Sequence, residues 1–232
     1  MNDRITLREI AANLLYPPRC LLCGALCGWE QTLCPACREQ LPQTEDFHWE
    51  PEVFGCRGVL WCARYEGAFR RGMEQFKFEG VRECLPLFGG MLAAAVRQSG
   101  ILPELTAITY VPMPPERERH QGYNQSRLLA EYLSGELGLP LREGALARDG
   151  RATAHAAEGR SARVALAKES YRTGKKRLPS GEHILLVDDI LTTGATLENC
   201  AALLREQGAE TVTAAAVLRT PRPEEKKSGD KL

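Results

Sequence analysis

The sequence predicts an α/β fold with a mainly parallel sheet, preceded by a small cysteine-rich element. Three observations carry this. Ile184-Leu185-Leu186-Val187 is a run of four large aliphatics, the pattern of a strand buried on both faces and therefore of a central parallel strand. Ala107 to Val111 and Glu210 to Leu218 are further apolar strands. They alternate with helical patterns as in strand–helix–strand units with a right-handed crossover. Ahead of them, five of the nine cysteines crowd into the first forty residues.

A chain of 232 residues holds one α/β domain plus a small appendage. Thirty basic and thirty acidic residues cancel, so no polyanion partner follows from net charge, and only a local patch can attract one. No stretch reaches the roughly 18 apolar residues of a membrane helix. Asp3, Arg4, Arg8 and Glu9 interrupt any signal-peptide core. The expected compartment is a reducing cytosol, where cysteines serve as metal ligands rather than disulfides.

From the N-terminus, Leu7, Ile10, Ala11, Leu14 and Leu15 have helical spacing, and Pro17-Pro18 ends that helix. Cys20-x2-Cys23 and Cys34-x2-Cys37 then form two knuckles whose thiolates suit a tetrahedral zinc ion, and the same ligands suit an iron–sulfur site. Cys27 lacks knuckle spacing and is left outside the set. So short a span has no room for a core of its own and is expected to fold on its metal. The expected organisation is a helix and four-cysteine element over 1–41, a linker over 42–56, the main domain over 57–220 and a disordered tail over 221–232.

Gly58 to Tyr65 reads as a strand, Ala68 to Phe78 as a helix with Phe69, Met73 and Phe76 on a core face, and Leu85 to Val96 as a second helix. Cys56, Cys62, Cys84 and Cys200 are scattered singly and are expected to be buried. The strand 107–111 runs into a loop carrying Arg117 and Arg119, whose guanidiniums suit phosphate oxygens, before a helix beginning near Gln125. Arg148 to Arg177 holds nine basic and three acidic residues and is the one local positive patch. It reads as a surface loop able to follow nucleic-acid phosphates, with only Tyr171 as an aromatic.

The chemistry concentrates just past the central strand. Asp188 and Asp189 follow the aliphatic run, and Thr192-Thr193-Gly194-Ala195-Thr196 then opens a helix. A glycine turn feeding a helix N-terminus offers free backbone N–H groups and the positive end of the helix dipole to a phosphate. Two adjacent carboxylates accept hydrogen bonds from a vicinal diol. Phosphate plus diol describes a ribose 5-phosphate.

The segment Ile184 to Thr196 resembles the phosphoribosyl pyrophosphate (PRPP) motif of type I phosphoribosyltransferases. Val111, Pro112, Gly122, Tyr123, Asn124 and Gln125, together with Lys77-Phe78-Glu79-Gly80 and the four N-terminal cysteines, resemble the ComF family, phosphoribosyltransferase-like proteins associated with competence and DNA uptake. The resemblance implies a type I phosphoribosyltransferase fold behind a zinc element, binding PRPP with Mg2+. Asp188 and Asp189, the candidate catalytic pair, would hold the ribose hydroxyls, and Thr192, Thr193, Gly194, Ala195 and Thr196 the 5-phosphate. Arg117 and Arg119 would meet the pyrophosphate. The reaction implied is displacement of pyrophosphate at the anomeric carbon, in nucleotide metabolism or DNA uptake. His120-Gln121 stands where the family carries two arginines, and in the 148–166 loop His155 and Leu166 replace a glutamine and an asparagine. The His120-Gln121 replacement favours the rival expectation, a non-catalytic zinc-containing adaptor with a vestigial or sensing PRPP pocket, whose zinc element and basic loop engage single-stranded DNA or uptake machinery. A purine salvage transferase is a third reading, which the zinc element disfavours.

Overall fold

The structure, a computed structural model, describes residues 17–28, 31–43, 46–148 and 170–222. The expected helix at 7–15, most of the basic loop, including Arg160 and Arg163, and nearly all of the tail lie outside them. The chain divides into two compact units. One comprises residues up to Leu41 together with Glu66–Cys84, and the other Pro42–Tyr65 together with everything from Leu85 onward.

The larger unit is built on a five-stranded sheet. Its strands are β1 (His48–Pro51), β2 (Gly58–Arg64), β3 (Ala107–Tyr110), β6 (Glu182–Leu191) and β7 (Ala209–Arg219), in the order β1-β2-β7-β6-β3. Every pairing is parallel except β1 with β2. A separate two-stranded antiparallel sheet pairs β4 (Leu146–Arg148) with β5 (Tyr171–Thr173). The aliphatic run lies in β6, between β7 and β3, where both faces are covered. Ile184, Leu185, Leu186 and Val187 are therefore completely buried. Ile184 and Leu186 join Leu197, Cys200, Ala201 and Leu204 of helix α6 (Ala195–Glu206) in one core cluster. Leu185 and Val187 point to the opposite face by the period-two alternation of a strand. There α5 (Gln125–Leu137) packs on β3 and β6 and contributes the buried Leu129 and Leu133. Helix α3 (Cys84–Gln98) reaches α5 closely: a methyl on Gly89 would stand 2.4 Å from the Tyr132 ring.

Two expectations are corrected. The segment 42–56 is not structureless, because β1 lies within it and makes the antiparallel edge of the sheet. Its proline and acidic residues hid it, which is how an edge strand is ordinarily marked. The loop after β3 also contains a helix, α4 (Pro115–Gln121), opened by a proline at its first turn and closed by left-handed Gly122.

An ion network ties the edge strand to the sheet. Glu50 of β1 accepts a hydrogen bond from Trp61 Nε1 at 3.0 Å, pairs with the buried Arg219 of β7, and accepts from Arg222 at 2.8 Å. Glu50→Ala leaves the Arg219 guanidinium, 7% exposed, without its carboxylate. That loss is expected to cost about 3 kcal/mol, read as a lower denaturant midpoint at unchanged slope. A midpoint within error of wild type would contradict the role given to this pair.

The smaller unit holds α1 (Pro35–Glu39), α2 (Gly67–Glu74) and a π-helical turn, Gln75–Glu79, closed by left-handed Gly80. Its interior corrects the view that the cysteine element has no core. Leu22, Met73, Phe76 and Cys84 are completely buried. Gly72 is what lets α2 approach: a methyl there would stand 2.7 Å from Leu22 and 2.9 Å from the Leu21 carbonyl oxygen. The Met73/Phe76 face, expected to serve the main domain, packs in this unit instead.

Candidate functional site

In the smaller unit, a tight turn at left-handed Gly24 brings the first two cysteines together. Gly24 N donates to Cys20 O at 2.8 Å, and Cys20 N to Ala25 O at 2.8 Å. The second pair sits where Cys34 caps α1 and Cys37 N donates back to Cys34 O at 3.1 Å. The Sγ atoms of Cys20, Cys23, Cys34 and Cys37 all lie within 4.8 Å of one another. They are the only group of three or more such ligands among the described residues. Burial opposes ionisation of Cys20, but backbone N–H groups of Cys23, Cys34 and Leu22 hydrogen-bond its sulfur and bring its pKa down to about 6. A thiolate held by amides inside a four-sulfur cage is the donor set of structural zinc. Cys27 stays outside the set. Cys56, Cys62, Cys84 and Cys200 are buried, as expected, and burial pushes the Cys56 and Cys84 thiols up to about 12.

In the larger unit, β6 continues through the acid pair to Leu191, so both aspartates belong to the strand rather than to the turn after it. Asp188 pairs in register with Ala216 of β7. Asp188 is half-buried and Asp189 is 9% exposed. Thr192 and Thr193 are exposed, Gly194 adopts φ +80°, and Ala195 begins α6. No side chain caps that helix, so N–H groups of its first turn point at the turn. Thr196 lies in that same turn of the helix.

Three supporting contacts were not foreseen. A methyl on Gly194 would meet the Phe54 ring at 2.1 Å, so the ring of the β1–β2 connection lies directly on the turn. Phe54 itself sits at φ +52°, an uncommon conformation for a bulky residue. On another side, Tyr171 shares a hydrogen bond with the Thr196 side chain, and the Arg148 guanidinium carbon lies 4.8 Å from the Tyr171 ring centroid. Burial raises the Tyr171 hydroxyl to about 12, so it stays a neutral phenol. Finally, Ser126 Oγ donates to Asp188 Oδ1 at 3.0 Å, and Asp189 N donates to the same oxygen at 2.9 Å. Only Asn124, as an N-cap type before an apolar helix, had a local signal. The partners of Phe54, Tyr171 and Ser126 are distant in sequence.

Not all the expected residues come together. Asp188, Asp189 and Thr192 to Thr196 lie together along the end of β6, the glycine turn and the first turn of α6. Arg117 and Arg119 lie exposed on α4, and neither hydrogen-bonds to the acid pair or the turn among the described residues.

A central parallel strand carrying two carboxylates near its end, a glycine turn into a helix, and a separate four-thiol knuckle pair define a phosphoribosyltransferase-domain protein with a zinc ribbon. The chain matches the phosphoribosyl transferase domain over residues 127–232 and the double zinc ribbon domain over residues 11–47. It is 30% identical over 213 residues to the DNA utilization protein YhgH of Escherichia coli O157:H7, spanning 87% of this chain and 90% of that one. It is 28% identical over 158 residues to the competence protein ComFC of Bacillus subtilis, spanning 67% of this chain and 62% of the other. Among solved structures, an adenine phosphoribosyltransferase aligns with a TM-score of 0.42 at 16% identity, over 82% of this chain and 92% of that one. The chain belongs to the ComF family.

Proposed function

We propose that the larger unit binds PRPP together with Mg2+ and transfers its phosphoribosyl group with release of pyrophosphate, in the cytosol. The observation that carries this reading is the placement of Asp188 and Asp189 near the end of the central strand, which runs through Leu191 and a glycine turn into an uncapped helix N-terminus at Ala195. The carboxylates would accept hydrogen bonds from the ribose hydroxyls. Thr192, Thr193, Gly194, Ala195 and Thr196 would surround the 5-phosphate with N–H and O–H donors. The described residues contain no carboxylate cluster that would hold Mg2+ by itself. As the resemblance implies, the cation would be carried mainly by the ligand's own phosphate oxygens, where it would supply charge stabilisation to the departing pyrophosphate. Arg117 and Arg119, both exposed, would reach pyrophosphate only from the surface of α4. No helix among the described residues is long and apolar enough to cross a membrane.

Calorimetry with PRPP and Mg2+ tests the pocket. Wild type is expected to bind, and the Asp188→Ala/Asp189→Ala variant to bind about a hundredfold more weakly, the loss of two charge-assisted hydrogen bonds. No binding by wild type, or equal binding by the variant, would sink the assignment.

The second reading is a binding protein in which the pocket senses its ligand and the zinc unit engages single-stranded DNA, in keeping with the names of the relatives. Its supporting observation is Phe78, 65% exposed on the π turn next to Lys77, a geometry suited to base stacking beside a cation. Affinity for single-stranded DNA that falls steeply with salt and weakens on Phe78→Ala is the expected result. Absence of affinity at low salt removes this reading.

A further inference from the structure

We infer that Ser126 is a positioning residue, fixing the orientation of the Asp188 carboxylate that is to meet a ribose hydroxyl. The inference rests on the phosphoribosyl reading above and deepens it.

A serine in the first turn of a helix ordinarily bonds to its own backbone. Here that role is taken by Asn124, whose side-chain oxygen accepts from Ser126 N at 3.0 Å and Arg127 N at 3.4 Å. The Asn124 amide donates in turn to Val111 O at 3.1 Å, and Val111 N donates to Val187 O at 3.0 Å. The start of α5 is thus fastened to the end of β3 and, through it, to β6 one residue before Asp188. Asn124 is 3% exposed and Ser126 4%, so water competes little with these bonds.

Relieved of capping, the Ser126 hydroxyl is directed across 62 positions of sequence to Asp188 Oδ1. That oxygen also accepts from Asp189 N. A carboxylate oxygen can accept both bonds. The terminal torsion of an aspartate is otherwise broad, and two donors converging on one oxygen narrow it. The arrangement is preorganised: the carboxylate is oriented by α5 before any ligand arrives, so little ordering is left to be done on binding.

The test is calorimetry on the full chain with PRPP and Mg2+, and in parallel with pyrophosphate and Mg2+, which lacks the diol. Ser126→Ala is expected to weaken PRPP about tenfold while leaving pyrophosphate within about twofold, and Ser126→Thr, which keeps the hydroxyl, to restore most of the loss. In an Asp188→Ala background, which removes the acceptor, Ser126→Ala is expected to add less than in wild type, because the serine acts through that side chain. Equal PRPP affinity in Ser126→Ala and wild type overturns the positioning role while leaving the pocket standing. So does an equal loss for pyrophosphate, or full additivity with Asp188→Ala. Wild type that fails to bind PRPP overturns the pocket and this role together.

Discussion

Chelation of the metal is expected to unfold the zinc unit. The four sulfurs lie within 4.8 Å of one another and can all ionise only around a cation, and the interior that would remain without it is small: Leu22, Leu33, Met73, Phe76 and Cys84. Structural zinc contributes apparent binding free energy on the order of 10 kcal/mol, more than those side chains supply against the entropy of ordering the unit. The expected stoichiometry is one zinc per chain, lost in a Cys34→Ser/Cys37→Ser variant. Amide exchange at Cys20, Gly24 and Cys37, protected in the zinc-loaded protein by the turn bonds, is expected to become fast. Because Glu66–Cys84 clusters with the ribbon, amides of α2 are expected to lose protection with it, while those of β6 and β7 keep theirs. A metal-free chain with native protection at Cys20 would overturn the zinc assignment. Loss of protection confined to residues before Leu41 would overturn the assignment of α2 to this unit.

The second large effect is expected at Gly194. Gly194→Ala forces a side chain into φ +80°, which costs about 1–2 kcal/mol, and places its methyl 2.1 Å from the Phe54 ring. Relief requires either the ring or the turn to move. Phe54 is itself in a left-handed backbone next to Gly55, whose carbonyl is held by the Arg205 guanidinium, so the turn is expected to yield. Displacing the turn misaligns the α6 N–H groups against a phosphate. PRPP affinity is therefore expected to fall at least tenfold, as is affinity for ribose 5-phosphate. The double variant Phe54→Ala/Gly194→Ala removes the collision but not the backbone strain, and is expected to recover only part of the loss. Wild-type affinity in Gly194→Ala would refute the structural account of the turn. Full recovery in the double variant would assign the whole effect to the ring.

Much of this molecule is legible locally. A run of aliphatics at 184–187 can satisfy itself only between covered faces, and paired Cys-x2-Cys spacing closes on a metal wherever the loop between permits a turn. Asn124 announces the start of α5 by its capping chemistry. Less was legible where local and tertiary demands diverge. β1 carries the polar, proline-marked residues of an edge strand and reads as linker until Glu50 finds Trp61 and Arg219. The face Met73/Phe76 is plainly apolar, yet periodicity says only that a face is buried and not against what. Gly72 and Leu22 decide that by shape.

The same division runs through the site. The order Asp-Asp, two aliphatics, Thr-Thr-Gly-Ala-Thr determines by itself that two carboxylates precede a glycine turn and a helix N-terminus, because strand, turn and cap preferences act over a few residues. The sequence likewise determines that four thiols fall into two knuckles. Only the tertiary structure decided what holds those groups in place: Ser126 on Asp188, Phe54 on Gly194, Tyr171 on Thr196 and helix α2 on the ribbon. Each joins segments dozens of residues apart. Such contacts depend on how layers pack and on the directions of individual side chains, which no short-range preference encodes. The chemistry of the pocket is therefore written in one stretch of chain, while its rigidity is assembled from three others.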